Sequence, residues 1–150
     1  MTIFTTPRLH VRRFEPTDLD ATAELLADAE VMRHLEPPFT REQTENFLKT
    51  AGLADKPLIY AVEDAENRFV GYVIYHRYDD EFDELGWVLR RDRWGLGYAS
   101  ELTAAMVSDV RRRGRRALIE CSPDQTATRV IAEKCGFVLT SDSPLAIYTL

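Results

Sequence analysis

The segment Trp94-Gly95-Leu96-Gly97-Tyr98-Ala99-Ser100-Glu101 stands where a strand pattern gives way to a helix pattern, and it constrains this chain more than any other stretch. Before it, Phe82 to Leu89 reads as a strand. After it, Ala99, Leu102, Met106 and Val110 recur at helical spacing until a stop near Gly114. Two glycines and an alanine leave little bulk between the main chain and a ligand. The first N–H groups of a helix have no intrahelical partners and carry positive partial charge. The junction therefore suits an anion, most often a phosphate. A tight strand-to-helix turn without a ligand would use the same glycines, so the motif takes its meaning from its surroundings.

Those surroundings predict a mixed architecture. Leu9 to Phe14 alternates apolar with polar residues as a half-buried strand does, and Thr17 opens a helical pattern through Leu19, Ala23, Leu26 and Ala27. Pro37-Pro38 breaks the chain. Thr40-Arg41-Glu42-Gln43 has the form of a capping box, which predicts a second helix to about Ala51, and Pro57 ends that region. Leu58 to Glu63, Phe69 to Tyr78 and Phe82 to Leu89 read as three strands joined through Glu66-Asn67 and Asp79-Asp80, an antiparallel meander. Ala117 to Cys121 is a short strand. Asp124 can cap a helix that buries Ala127, Val130 and Ile131 and stops at Cys135-Gly136, before strands at Phe137 to Leu139 and Ala146 to Leu150. The order predicts an α+β fold: a mixed, mostly antiparallel sheet of about seven strands with about four helices on its faces. No repeat or linker divides it, so residues 1–150 read as one domain.

Composition narrows the function. A net charge of −6 argues against nucleic acid as the principal partner, since phosphate-backbone binding rests on a large basic face. Cys121 and Cys135 make neither a disulfide framework nor, with His10, His34 and His76, a metal cluster, so no metal is expected and the thiols read as reduced. No stretch approaches the roughly 20 apolar residues of a membrane span, and the start Met-Thr-Ile-Phe-Thr-Thr-Pro lacks the regions of a signal peptide. A cytoplasmic protein with no membrane partner is expected. The run Arg111-Arg112-Arg113-Gly114-Arg115-Arg116 ends the helix that the glycine loop begins. Some 14 residues at about 1.5 Å each put it roughly 20 Å from that loop, where cations at a helix C-terminus are favourable and solvated.

Several further segments carry a resemblance in a shared order: Thr6-Pro7-Arg8-Leu9-His10-Val11-Arg12, a helix start at Asp18, Val31-Met32-Arg33-His34-Leu35, Gly71, Glu84-Leu85-Gly86-Trp87, the glycine loop, and Ile131-Ala132-Glu133-Lys134-Cys135-Gly136-Phe137. Across nearly its whole length the chain resembles the GNAT superfamily of N-acetyltransferases, in its ribosomal-protein N-acetyltransferase-like branch. The resemblance implies transfer of the acetyl group of acetyl-CoA to a primary amine, with no metal. It implies that Trp94, Gly95, Leu96, Gly97, Tyr98 and Ala99 hold the CoA pyrophosphate, and that Val88, Leu89 and Arg90 run beside the pantetheine arm as a pseudo-strand. Leu96 stands where a Lys or Arg is usual, with Arg90, Arg91 and Arg93 near in sequence to replace the charge. Gln125 and Thr128 stand for the branch's Asn and Ser, keeping an amide and a hydroxyl three residues apart.

An ammonium must lose a proton before it attacks, and Glu84, at the start of the strand leading to the acetyl site, is the first candidate base; Asp83 beside it should point to the opposite face. Thr128 can hydrogen-bond the departing sulfur. Tyr148 reads as core before proton donor, and Glu101 as a structural carboxylate in a helix's first turn. Amine-binding groups are expected from Val31 to Phe39 and Tyr75 to Glu84. Asp79, Asp80, Glu81, Asp83 and Glu84 suit a cationic acceptor or a solvated hairpin equally. Nothing in the residues chooses between a monomer and a homodimer. Two rivals remain: a dinucleotide-binding oxidoreductase, disfavoured because antiparallel strands and Arg90 to Trp94 precede the glycines, and a non-catalytic acyl-CoA-binding sensor or interaction domain.

Overall fold

Apolar residues on successive central strands alternate between two faces, and each face buries its own core. In the computed structural model, which describes residues Met1–Leu150, β3 (Ile59–Asp64), β4 (Phe69–Arg77) and β5 (Phe82–Leu89) form the predicted antiparallel meander. The β3–β4 turn passes through Asn67 at φ 61°, a left-handed conformation that asparagine tolerates. Asp79 closes the β4–β5 turn, its carboxylate accepting from the amides of Glu81 and Phe82.

β2 (Leu9–Arg12) pairs with β3, and β1 (Thr2–Thr5), a strand not expected from the sequence pattern, pairs with β2. On the other side β6 (Arg116–Cys121) runs parallel to β5, followed by β8 (Ala146–Thr149) and β7 (Val138–Ser141). The order is β1-β2-β3-β4-β5-β6-β8-β7, eight strands where about seven were expected, and only β5–β6 is parallel.

One face is covered by α4 (Tyr98–Arg112), whose Leu102, Met106 and Val110 are fully buried against Leu85, Leu89, Ile119 and Tyr148. The opposite face carries α1 (Leu19–Leu26), α2 (Ala29–Met32) and α3 (Arg41–Phe47), through which Leu25, Leu26 and Met32 pack on Ile59, Ala61, Tyr72 and Val88. α3 opens with the expected capping box: the amide of Gln43 donates to Thr40 Oγ1 at 3.1 Å, and the amide of Thr40 donates to Gln43 Oε1 at 2.8 Å. α1 starts later than Thr17, after a tight turn at Pro16–Asp18. There the Asp18 carboxylate accepts from the amide of Glu15 and from both terminal nitrogens of Arg12, each at 2.8 Å.

Three expectations need correction. α5 (Thr126–Lys134) is not capped by Asp124; Gln125 holds the cap position, and its Oε1 accepts instead from the amide of Ser122 at 3.0 Å. Nor does α5 bury Ala127 or Val130, which is 55% exposed; Ala132 is the buried residue. Only the later part of α5 rests on the core, while Ala127, Thr128 and Ile131 border a cleft. The arginine run is also not wholly solvated. Buried Asp83 accepts from Arg113 Nη2 and from Arg115 Nε, both at 2.7 Å, and Arg115 donates further to the carbonyls of Asp79, Asp80 and Phe82.

Two buried carboxylates are held in their charged form. Burial opposes the charge of Asp64, but the amides of Arg68 and Glu66 and the guanidinium groups of Arg93 and Arg68 hold its pKa well below the usual carboxylate range. Burial likewise opposes Asp18, and Arg12 and the amide of Glu15 outweigh it. A pKa depressed by folding contributes stability above the unfolded value and loses it as pH falls through the folded one. The Tm followed by circular dichroism should therefore decline below about pH 4. Asp64→Asn should lower the Tm at pH 7 by several degrees and flatten that acid decline; an undiminished decline would remove Asp64 as its source.

Candidate active site

β5 and β6 are joined at one end only. Their register pairs are Phe82 with Arg116, Asp83 with Ala117 and Glu84 with Leu118, and the ladder stops there. Alternation tells which β5 groups the opening exposes. The N–H of Arg90 donates to the carbonyl of Val70 at 2.8 Å, so in the regular β4–β5 register residues 90, 88, 86 and 84 bond to β4, while 89, 87 and 85 face the other way. The amide of Arg116 donating to the carbonyl of Glu81 obeys the same parity. The main-chain groups of Trp87 and Leu89 thus face the opening, where Trp94 Nε1 already donates to the Leu89 carbonyl at 3.0 Å.

The opening widens into a cleft of about 660 Å³. One wall is the end of β5 with the start of α4, bringing together Val88, Leu89, Trp94, Gly95, Gly97, Tyr98 and Ala99. The opposite wall is the start of α5, with Gln125 and Thr128, so two helix N-termini face the same space. Val31 of α2, with Arg33 and His34 just after it, borders it from the other face of the sheet.

Three of the residues singled out in the sequence, Leu96, Arg90 and Glu84, lie outside the lining of this cleft. The side chain of Leu96 is turned to solvent. Arg90 gives its N–H to β4 and its guanidinium to Asp92 at 3.0 Å and Glu24 at 3.3 Å, outside the cleft lining.

Both loop glycines are in the left-handed region, Gly95 at φ 75° and Gly97 at φ 81°. A Cβ at Gly95 would meet nothing, so glycine serves the backbone there; a Cβ at Gly97 would come within 3.3 Å of Arg8 Nη2. Arg8 is a cation that the sequence reading passed over. It lies over the Tyr98 ring at 4.8 Å and pairs with Glu101 at 2.8 Å. Its segment was legible only as an opening strand, because the contact spans 93 residues. Of the proposed replacements for the missing loop cation, Arg93 borders the cleft, tied to Asp64 at 2.8 Å, and Arg91 pairs with Asp28 at 3.5 Å. Trp87 was also missed as a main-chain donor, since only the strand pairing reveals its parity.

Glu84 stands at the last paired register of β5, the closed end of the opening. It shares parity with Val88, which packs under α1 to α3, and so faces that side, whereas Asp83 faces α4 and is held by its two arginines. Glu84 pairs with His76 Nε2 at 3.4 Å. Glu120 of β6 shares this face; burial first, and then the charge of Glu84, push its carboxyl above the usual value. Tyr148 is fully buried, its hydroxyl accepting from Arg129 Nε at 3.0 Å and donating to Glu133 Oε1 at 3.2 Å. Glu101 accepts from the Thr6 hydroxyl and the Arg8 amide.

This geometry suits a CoA thioester. Unpaired amides at the α4 start suit its pyrophosphate, and a free strand edge suits its amide-bearing arm. The chain matches the Acetyltransferase (GNAT) domain over residues 8–138. It belongs to the GNAT acetyltransferase family, and it is an N-acetyltransferase using acetyl-CoA as acyl donor. It is 32% identical over 139 residues to the uncharacterized N-acetyltransferase YnaD of Bacillus subtilis, covering 88% of this chain and 80% of that one. A GNAT-family acetyltransferase of Bacillus anthracis superposes with a TM-score of 0.87 at 28% identity, over 100% and 98% of the two chains. A ribosomal L7/L12 alpha-N-protein acetyltransferase in complex with coenzyme A shares the fold, with a TM-score of 0.83 at 19% identity over 100% and 97%. No helix is long and apolar enough to cross a membrane.

Acetyl-CoA at a hundredfold excess over its Kd should stabilise the native protein by roughly 2.7 kcal/mol, read as a rise in Tm. Gly97→Glu should abolish that rise, because a carboxylate enters the phosphate path. Gly114→Ala, at φ 73° with nothing near its Cβ and outside the cleft, imposes comparable backbone strain and should keep it. A ligand-induced rise that survives in Gly97→Glu would move the pyrophosphate away from this loop.

Proposed function

We propose that the chain transfers the acetyl group of acetyl-CoA to a primary amine by direct attack in a ternary complex, with the residues of the β5–β6 opening in the following roles. The observation that carries this reading is the interrupted β5–β6 ladder, which leaves the Trp87 and Leu89 amides unpaired, with the start of α4 bordering the cleft and Glu84 at the last paired register. Gly95 to Ala99 bind the pyrophosphate through main-chain N–H groups, with Arg8 and Arg93 as nearby cations. Leu89 and Trp87 hold the pantetheine amides, and one such N–H polarises the acetyl carbonyl. Gln125 uses its carbonyl oxygen to close the Ser122 turn, so its –NH₂ is the group turned to the arm. Thr128 donates to the sulfur as it leaves, and Glu84 removes the acceptor's proton.

The acceptor enters from the side of His34 and Glu84. The acidic hairpin is mostly neutralised within the protein: Asp79 by turn amides, Asp80 by Arg77 at 2.7 Å, Glu81 by Arg116 at 3.1 Å and Asp83 by Arg113 and Arg115. Preference for a cationic acceptor therefore rests on Glu84 and Glu120. A cytoplasmic setting fits two free cysteines, Cys121 and Cys135. Release of free CoA thiol against a panel of amines and N-terminal peptides tests the enzyme directly; acetyl-CoA binding without amine-dependent release would identify a sensor.

Glu84→Gln keeps the size and removes the base. Its rate should fall by about 10² near neutral pH and recover as rising pH supplies free amine. An unchanged kcat with a raised acceptor KM would make Glu84 a binding carboxylate. Thr128→Ala should lower kcat more than it weakens acetyl-CoA binding, because its hydroxyl meets charge that develops on the sulfur. Equal transfer rates in the two proteins would reduce Thr128 to packing.

A further inference from the structure

The ring of His76 is engaged at both nitrogens. Nδ1 lies 2.8 Å from the main-chain carbonyl of Arg77, and Nε2 lies 3.4 Å from Glu84 Oε1. A carbonyl oxygen only accepts, so Nδ1 must carry a hydrogen. A neutral ring with its hydrogen there has a lone pair at Nε2, facing another acceptor. The contact becomes attractive only with one added proton, on Nε2 or on the carboxylate. His76 and Glu84 are directly opposite in the β4–β5 register, with side chains 21% and 17% exposed, so the sheet itself holds them together.

We propose that His76 and Glu84 form a two-residue base, in which Glu84 meets the acceptor amine and His76 behind it holds the proton that is removed. The proposal rests on the assignment of Glu84 to the acceptor. In the active form the ring is neutral and Glu84 is charged. One proton passes from the ammonium to the pair, and the freed nitrogen attacks the thioester carbon. The N–C bond forms, the C–S bond breaks, the second proton shed by nitrogen goes to the CoA sulfur, and the pair returns its proton to water. His76 is a positioning residue, since it acts through Glu84.

The chemistry explains what a pair adds. A lone carboxylate binds protons with a pKa near 4.3, far from that of an ammonium near 10, and proton transfer is most effective when the base's pKa lies near the working pH. The hydrogen bond to Glu84 raises His76 above the ordinary histidine value, with help from the Arg77 carbonyl and against the opposing effect of burial. The charged groups acting on the ring are Glu84 and, more weakly, Asp83, while Glu120 of β6 neighbours Glu84. A loaded pair accepts nothing, so activity should rise as pH climbs through the titration of His76.

NMR titration of the His76 Cε1–H, assigned with His76→Gln, gives a readout that needs no acceptor. Its midpoint should lie above about 6.5 in the wild-type protein and show roughly tenfold weaker proton binding in Glu84→Gln. The acid limb of kcat/KM, measured with the best amine of the acceptor panel, should share the wild-type midpoint. In His76→Gln, which keeps a donor to Glu84 without titrating, that limb should move to lower pH and the neutral rate should fall about tenfold. A His76 midpoint unmoved by Glu84→Gln overturns the pairing. A midpoint that moves while His76→Gln keeps the wild-type acid limb overturns the shared base and leaves an ion pair. Full activity of Glu84→Gln at every pH overturns the assignment of Glu84 itself, which is a separate failure.

Discussion

Everything that makes a site here depends on how β5 is shared between two neighbours. At its start β5 is clamped to β6: Asp83, buried, takes Arg113 and Arg115, and Arg115 also gathers the carbonyls of the preceding hairpin. Against β4, by contrast, β5 is paired from Asp83 to Leu89. Gly71, opposite Leu89, has φ 147°, and a Cβ there would stand 2.1 Å from the carbonyl oxygen of Val88, so only glycine permits that approach. A strand held to β4 throughout and to β6 only at its start leaves a gap on the β6 side. The gap is where a second strand's hydrogen bonds are missing, which is the basis for the proposed pairing with an amide-bearing ligand.

Charge is distributed to serve that gap. The N-termini of α4 and α5 both face it, adding positive potential without a lysine in the loop. Asp64, at the end of β3, holds Arg93, and Glu101 of α4 holds Arg8, so both cations near the glycine loop are fixed by carboxylates. At the closed end the sign reverses, with Glu84 and Glu120 on one face and most of the hairpin's other acids already paired. The proposed roles would place an anionic donor and an ammonium acceptor at opposite ends of one opening.

Local signals were legible wherever a residue's role is set by its neighbours in sequence. The Thr40–Gln43 box, the Asn67 turn, the Leu102–Met106–Val110 stripe and the glycine loop all have interactions closed within a few residues or one turn, and the structure shows each of them. Signals failed where distant segments compete. Asp124 has the chemistry of a cap, but the Gln125 side chain closes the preceding turn. The arginine run looks solvated until β5 brings Asp83 beneath it. β1 is too short and too exposed to show a pattern before β2 pairs with it.

By itself the sequence determined the class of fold, the glycine-bearing strand-to-helix junction and the set of candidate polar groups, because strand and helix periodicities and first-turn chemistry are properties of short segments. Only the tertiary structure decided which main-chain amides are free. That depends on the strand register, which assigns Leu89 and Trp87 to the opening and Val88 and Arg90 to β4. It also decided that Arg8 meets Gly97 across the fold and that His76 stands behind Glu84. These last two contacts join groups that no spacing along the chain relates, and hydrogen-bond pairing across a sheet is what brings them together.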